Sequence, residues 1–269
     1  MRNRLIILVV AVLVICSALG IHDENPEVRE WDIAQSHLPT IKIALLSDFH
    51  FSDPSDLARL SLIKRQLIHH DPDLVLFAGD YIGSHTLYET TSRSTVVQAL
   101  QALAYPKPSF AVLGNHDNWD SHNAWVHAFE DSSIRLIENR VMRLVLKETE
   151  ICIRGLGDYY SGYRSDTFIP DDCGARVITM THDPMGLIDD NDEVQTISFA
   201  GHTHCGQIAF PIIGAPIVPT KAPNAMHCGR FERGQTGITS GGLGTSIVPL
   251  RFGPNTEPGW ELIQIQRLN

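Results

Sequence analysis

The sequence contains no C-x-x-C pair, which removes the zinc-knuckle and thioredoxin-type readings of its cysteines. One of its five cysteines, Cys16, falls in an apolar N-terminal run, leaving Cys152, Cys173, Cys205 and Cys228. A Cys205–Cys228 disulfide is permitted in an oxidising compartment, but sequence alone sets no connectivity, and four free thiols are the alternative. A Ser/Gly-rich linker, an internal repeat and a low-complexity block are also missing, so one domain follows the N-terminal run. Its roughly 245 residues suffice for a large α/β unit with a full core. Positive charge is scarce. Lys and Arg number 21 against 31 Asp and Glu, a net charge of −10 that speaks against nucleic acid as a generic partner. An anionic substrate must then be drawn by local groups. The acidic run Asp189-Asp190-Asn191-Asp192-Glu193 lacks the spacing of a calcium loop and reads as a solvated turn.

There is one long uncharged run, Leu5 to Ile21, preceded by Arg2 and Arg4. At the short limit for a membrane span, it is either a retained anchor, the reading taken here, or a cleaved secretory signal. The basic residues before it favour a cytosolic N-terminus and a domain facing outward, on the periplasmic side where the host has one. This divides the chain into residues 1–21 (anchor or signal), 22–40 (linker) and 41–269 (the domain). The membrane is thus an expected partner through residues 5–21.

Five short apolar runs, rich in β-branched residues, read as buried strands. Each is followed by polar residues with metal-ligand chemistry. Ile41–Leu46 precedes Asp48-Phe49-His50, Leu74–Phe77 precedes Gly79-Asp80, and Phe110–Leu113 precedes Gly114-Asn115-His116-Asp117. Val177–Met180 precedes His182, and Thr196–Phe199 precedes Gly201-His202-Thr203-His204. Singly, each motif is weak. Together, ligands just past five strand ends collect at one edge of an α/β sheet, where such folds bind ligands. Gly79, Gly114 and Gly201 are expected where the chain turns sharply into dihedrals that glycine adopts freely.

The residue types suit a pair of divalent ions, which need a shared carboxylate, neutral imidazoles and a further oxygen ligand. Asp80 is the natural bridge. Asp48, His50 and His204 complete one set; Asn115, His182 and His202 complete the other. His116 stays off the metals and faces the substrate, where it can protonate a leaving alkoxide, and Asp117 beside it is a candidate to orient that imidazole. Ligands without thiolate fit Mn first, with Fe or Zn also possible.

In this order the motifs resemble the calcineurin-like metallophosphoesterases, from about Ile41 to the C-terminus. Within that family Gly201-His202-Thr203-His204-Cys205-Gly206-Gln207 is similar to the membrane-associated bacterial branch, with Cys205 where a glycine is usual. Ser240-Gly241-Gly242-Leu243-Gly244 and Pro249-Leu250-Arg251-Phe252 are similar to that branch too. The resemblance implies a four-layer αββα sandwich with two mixed β-sheets, two bound metals, and hydrolysis of phosphoric esters. The expected function is a membrane-anchored phosphodiesterase or phosphatase acting on a phosphorylated small molecule or lipid. One alternative is a UDP-2,3-diacylglucosamine-type pyrophosphatase of lipid A synthesis, disfavoured by topology. The other is a catalytically inactive scaffold, disfavoured because every ligand is present.

Helices are expected from Asp53-Pro54, with Leu57, Leu60, Ile63, Leu67 and Ile68 inward, and over Thr91–Leu103, with Val96, Val97, Leu100 and Leu103 inward. A third follows Asp120, burying Trp125, Ala128 and Phe129. Ile134–Ile153 reads as successive strands. His69 and His70 close the first helix; His85, His122 and His127 read as surface residues, with His122 near enough to reach the site rim. The loop Gly157–Tyr163 is a candidate lid, packed loop tyrosines being the alternative.

Overall fold

The computed structural model describes residues 25–52, 54–83, 92–188 and 197–268. The proposed anchor, His85 and the run Asp189–Glu193 lie outside the described residues. Alternating side chains along each strand build two faces, and so two cores. In β2 (Ile41–Leu46), Ile41, Ile43 and Leu45 point to one cluster while Ala44 and Leu46 point to another. The same alternation in β3 (Leu74–Phe77) and β4 (Ser109–Ala111) makes this first sheet apolar on both sides. It therefore needs a layer on each.

The first sheet has the order β1-β12-β2-β3-β4-β5. Here β1 is Glu27–Gln35, β5 is Arg135–Leu136 and β12 is Gly259–Arg267. Strands β2 to β5 run parallel, and β12 runs antiparallel to β2. The second sheet has the order β10-β11-β9-β8-β7-β6, with β7, β8, β9 and β11 parallel. Its strands are β6 (Arg140–Leu146), β7 (Thr149–Gly155), β8 (Val177–Met180), β9 (Ile197–Ala200), β10 (Gly229–Glu232) and β11 (Thr236–Thr239). Ile151, Ile153, Ile178, Met180, Phe199 and Ile238 join the inward side chains of β2 and β3 in the cluster between the sheets. Helices α1 (Leu60–His70), α2 (Arg93–Ala104) and α3 (Asn115–Glu130) cover the other face of the first sheet. Over the second sheet the outer layer is thinner, with short 3-10 helices at Asp171–Cys173, Pro184–Leu187 and Asn224–Met226. This is the αββα sandwich with two mixed sheets.

Several expectations change. The stretch 22–40 is not merely a linker, because β1 lies in it and pairs with β12 over nine residues. Pairing along the final strand recruits a segment whose own pattern, with one buried residue in nine, carries little hydrophobic signal. Ile68 does not face inward but is 68 % exposed, since the buried stripe of α1 is Leu60, Ile63 and Leu67. Helix α2 begins at Arg93 with Ser92 accepting the Thr95 N–H, and buries the four expected residues. Helix α3 starts five residues before Asp120, so Asn115, His116 and Asp117 form its first turn, and a break at Ser121 divides it. Ile134–Ile153 does form strands, but β5 joins the first sheet and β6 and β7 the second.

Candidate metal centre

Parallel strands deliver their next residues to one edge. Beyond β2 come Asp48 and His50, beyond β3 Asp80, and at the start of α3 Asn115; beyond β8 comes His182, and beyond β9 His202 and His204. All seven are buried. Five of them, Asp48, His50, Asp80, His202 and His204, hold φ between 47° and 69°. Non-glycine residues in this region cost about 1–3 kcal/mol each and concentrate where function demands them.

The ligand atoms converge in two groups. Asp48, His50 and His204 form one and Asp80, His182 and His202 the other, with all atoms of each group within 4.8 Å of one another. His50 Nε2 lies 3.0 Å from His204 Nε2, and His202 Nδ1 lies 3.2 Å from His182 Nε2. Asp80 Oδ2 stands between them, 3.6 Å from His50 Nε2 and 3.2 Å from His182 Nε2. Asp80 also groups with His50 and His116.

These residues fit a cation pair. His182 Nδ1 donates to the Ala78 carbonyl at 2.6 Å, and His202 Nε2 donates to the Pro219 carbonyl at 2.5 Å. A carbonyl can only accept, so in the neutral rings the lone pairs sit on the two nitrogens that face each other. Among the described residues Asn115 Oδ1 is a buried acceptor with no hydrogen-bond partner. A divalent ion satisfies such a set, whereas protein alone leaves it repulsive.

Electrostatics favour the ligand forms at His50 and His204. Burial drives the His50 imidazole down to about 3, and burial, His50 and Arg251 hold His204 well below its ordinary value. Burial opposes ionisation of Asp80, but His182 and His50 outweigh it and hold the carboxyl well below the usual range. In return, burial works against charge on His182 and the Asp80 carboxylate overcomes it, raising its pKa. Burial raises the Asp48 pKa, and its two oxygens each accept the His202 backbone N–H at 3.1 Å.

Two of the three glycines serve space rather than dihedral freedom. Gly79 does hold φ +90°, as expected. At Gly114 the backbone is extended (φ −98°, ψ −179°), and a Cβ would stand 2.1 Å from Asp80 Oδ1. At Gly201 a Cβ would stand 2.7 Å from Asp48 Oδ2. Asp117 likewise has another task than holding the His116 ring. Its Oδ2 accepts the N–H groups of Asp80 and Gly114, each at 2.9 Å, and its Oδ1 those of Tyr81 at 2.9 Å and Ile82 at 3.3 Å. A carboxylate at the first turn of a helix is well placed for such donors, and here it ties the β3 loop to α3.

The His116 ring meets His50 edge-on at 4.7 Å and Trp119 at 5.5 Å, while the His116 backbone N–H donates to Asp80 Oδ1 at 2.9 Å. From the candidate lid, the Tyr160 ring reaches 4.7 Å from His202 and 5.9 Å from Trp119. His122 is outside the ligand groups, bonded to Asn118 at 2.8 Å and stacked on Tyr163 at 4.3 Å. Arg251, which had no role assigned from sequence, is buried with Nη2 3.0 Å from His204 Nδ1. Its tetrapeptide Pro249–Phe252 was visible, but nothing in the pattern tied it to a ligand. Disulfides join Cys205 to Cys228 and Cys152 to Cys173, the second without a sequence signal.

The calcineurin-like phosphoesterase profile matches residues 41–206. "Uncharacterized metallophosphoesterase YkuE" of Bacillus subtilis is 28 % identical over 84 % of this chain and 81 % of its own length. "Phosphodiesterase YaeI" of Escherichia coli is 27 % identical, over 67 % of this chain and 66 % of its own length. Among solved structures, a candidate 5'-nucleotidase from Staphylococcus aureus aligns with TM-score 0.50 at 12 % identity. That alignment covers 86 % of this chain and 55 % of the other, so this chain spans about half of it.

Proposed function

We propose a phosphodiesterase activity for this chain, which belongs to the calcineurin-like phosphoesterase family and is a metal-dependent hydrolase of phosphoric esters. The observation that carries the assignment of the centre is the pair of facing imidazole nitrogens on either side of Asp80. Asp48, His50, Asp80 and His204 would hold one ion and Asp80, Asn115, His182 and His202 the other, with Mn the first candidate. Bound there, two divalent ions supply positive charge that acidifies a water and offsets charge developing on phosphorus oxygens. The Ala78 and Pro219 carbonyls fix the orientations of His182 and His202. His116, half-buried at the rim, hands a proton to the departing oxygen, while Trp119 and Tyr160 wall the space beside it. Asp117 serves this chemistry indirectly, by holding the Asp80 and Gly114 backbones together.

The domain works outside the cytosol, anchored by residues 5–21. Two disulfides support an oxidising compartment. Among the described residues no helix is long and apolar enough to cross a membrane, so the anchor rests on the apolar run alone.

The full chain, stripped and reloaded with Mn, should bind two ions per chain and cleave bis-nitrophenyl phosphate. The same panel should carry mono-nitrophenyl phosphate and UDP-2,3-diacylglucosamine. One tight ion, or none, would sink the two-ion reading. Efficient release of UMP with little diester cleavage would make the pyrophosphatase the better assignment, and no turnover on any substrate would favour a scaffold.

A further inference from the structure

The metal-ligand turn is flanked by two apolar loops that the hydrolysis does not use. Ile212 and Ile247 are each 96 % exposed, and Ile213 and Ile217 are 73 % and 78 % exposed. Scattered surface isoleucines need no explanation, but these four, with Val248 and Leu250, sit on two segments joined to one another. Ala209 N–H donates to the Phe252 carbonyl at 2.8 Å, and the Phe210 and Phe252 rings lie 6.1 Å apart. Gln207 side-chain nitrogen donates to the Ser246 and Val248 carbonyls at 3.1 and 2.6 Å. Both loops also grip the ligand turn. A Cβ on Gly206 would meet Ala215 at 2.1 Å, and His202 bonds Pro219.

Charge in this region departs from that of the whole chain. Within a protein of net charge −10, residues 207–226 and 240–256 contain no Asp or Glu, while Lys221 and the buried Arg251 fall there. An apolar ridge without acidic side chains suits the interfacial zone of an anionic bilayer, which repels carboxylates and accepts isoleucine.

The chain path brings the same edge toward the apolar N-terminal run. Strand β1 is parallel to β12, and β12 is antiparallel to β2, so Glu27 lies at the edge where Asp48 emerges. Pro26 lines a small hollow with Phe49, Phe51 and Leu243, and the Leu243 N–H donates to the Ser47 carbonyl. Five residues separate Ile21 from Glu27, and the fully extended chain between them reaches at most about 22 Å. With residues 5–21 in a bilayer, the ligand edge cannot stand far from its surface.

From this we propose that the loops 210–218 and 247–250 insert into the bilayer surface and present the metal centre to phosphodiester head groups of membrane lipids. The proposal rests on the phosphodiesterase reading above. In the reaction a water oxygen joins phosphorus, the P–O bond to the departing alcohol breaks, and that alcohol takes up the proton.

The test uses the full chain in vesicles of phosphatidylcholine and phosphatidylglycerol, with either plain or brominated acyl chains. Ile212→Trp and Ile247→Trp each add a fluorophore at a fully exposed position; Val145→Trp, at the hairpin of β6 and β7 on the opposite edge, is the control. Bromolipid should quench the added tryptophan at 212 and 247 by a third or more and leave that at 145 unchanged. Equal quenching at all three, or none, overturns insertion, and loops covered by a second copy or a protein would give none. A second arm compares Ile212→Asp/Ile247→Asp with the parent chain. The variant should cleave vesicle-embedded phosphatidyl-nitrophenol at least tenfold more slowly and soluble bis-nitrophenyl phosphate within twofold of the parent. Equal loss on both, or a parent that cleaves the soluble diester and ignores the embedded one, overturns the lipid substrate. A metal-loaded parent that cleaves neither refutes the phosphodiesterase reading instead, whatever the quenching shows.

Discussion

Gly114→Ala should disable the metal centre although alanine suits the local backbone. With φ −98° and ψ −179°, position 114 is extended and any residue adopts it. What it lacks is room. The new Cβ would stand 2.1 Å from Asp80 Oδ1, 2.5 Å from Asp80 N and 2.8 Å from Asp80 Cγ. An ordinary carbon–oxygen contact begins at 3.4 Å or more, so Asp80 or the α3 N-terminus must retreat by about 1 Å. Asp80 has nowhere neutral to go, because its Oδ2 is placed 3.6 Å from His50 and 3.2 Å from His182 while Asp117 clamps its N–H. Overpacking of this kind costs about 1–3 kcal/mol of stability, and a misplacement of about 1 Å at a reacting centre costs on the order of 100-fold in rate. The assay is ions per chain by elemental analysis, alongside kcat for bis-nitrophenyl phosphate. Gly162→Ala is the control, since φ +81° strains alanine there but no atom lies within 4 Å of its Cβ. It should lose about 1 kcal/mol of stability and keep both ions. Two ions per chain and more than a tenth of parental turnover in Gly114→Ala would refute the claim that this gap sets the Asp80 position.

His116→Ala should keep both ions yet lose about 100-fold or more on alkyl phosphodiesters, sparing nitrophenyl esters, whose leaving group needs no proton; equal loss on both classes would remove His116 as the acid. Glu138 is pushed up to about 7 by burial and the nearby Asp158 carboxylate. The folded state therefore holds a proton that the unfolded state releases above its ordinary 4.5, so this group destabilises the fold progressively from pH 4.5 to 7, by about 3 kcal/mol at most. Glu138→Gln should accordingly raise Tm by several degrees at pH 8 and leave it unchanged at pH 4.5; a shift of equal size at both values would point to a contact rather than a charge. Cys228→Ser should lower Tm and cut metal occupancy together, because Cys205 follows the ligand His204 and holds a left-handed φ of +52°, tied at its side chain to Cys228. A variant with full occupancy would show that the ligand turn stands without the bridge.

The strands that carry ligands were legible because each combines an apolar β-branched run with a polar residue immediately after it. Sequence also brought the candidate ligands to one place, since parallel strands put successive carboxyl ends on one edge. Strand β1 was not legible. Its side chains are mostly half-exposed, and only pairing with β12, more than two hundred residues away, makes it a strand. Arg251 and the Cys152–Cys173 bridge were hidden at shorter range, their partners lying 47 and 21 residues away with no pattern to link them. Asp117 was located correctly in the chain and given the wrong neighbour. Adjacency to His116 suggested a contact, but at the third position of a helix a carboxylate turns back toward the N-terminal amides.

That turn-back explains why Gly114-Asn115-His116-Asp117 behaves as a unit. Asp117 draws the Gly114 and Asp80 amides to one carboxylate, and this approach of two backbones is what leaves no space for a side chain at 114. With the helix start pinned against the β3 loop, Asn115 is delivered with its amide oxygen buried, and the His116 N–H falls on Asp80 Oδ1. One buried acid thus fixes Asp80, the proposed bridge, Asn115, the proposed amide ligand, and the entry of the helix that carries His116. Burial and Asp80 both push the Asp117 carboxyl well above its ordinary value, opposed by the Gly114 amide, the His182 charge and the Ile82 amide. Its cost in the fold follows from the precision it gives to three other residues, none of which it could position from the surface.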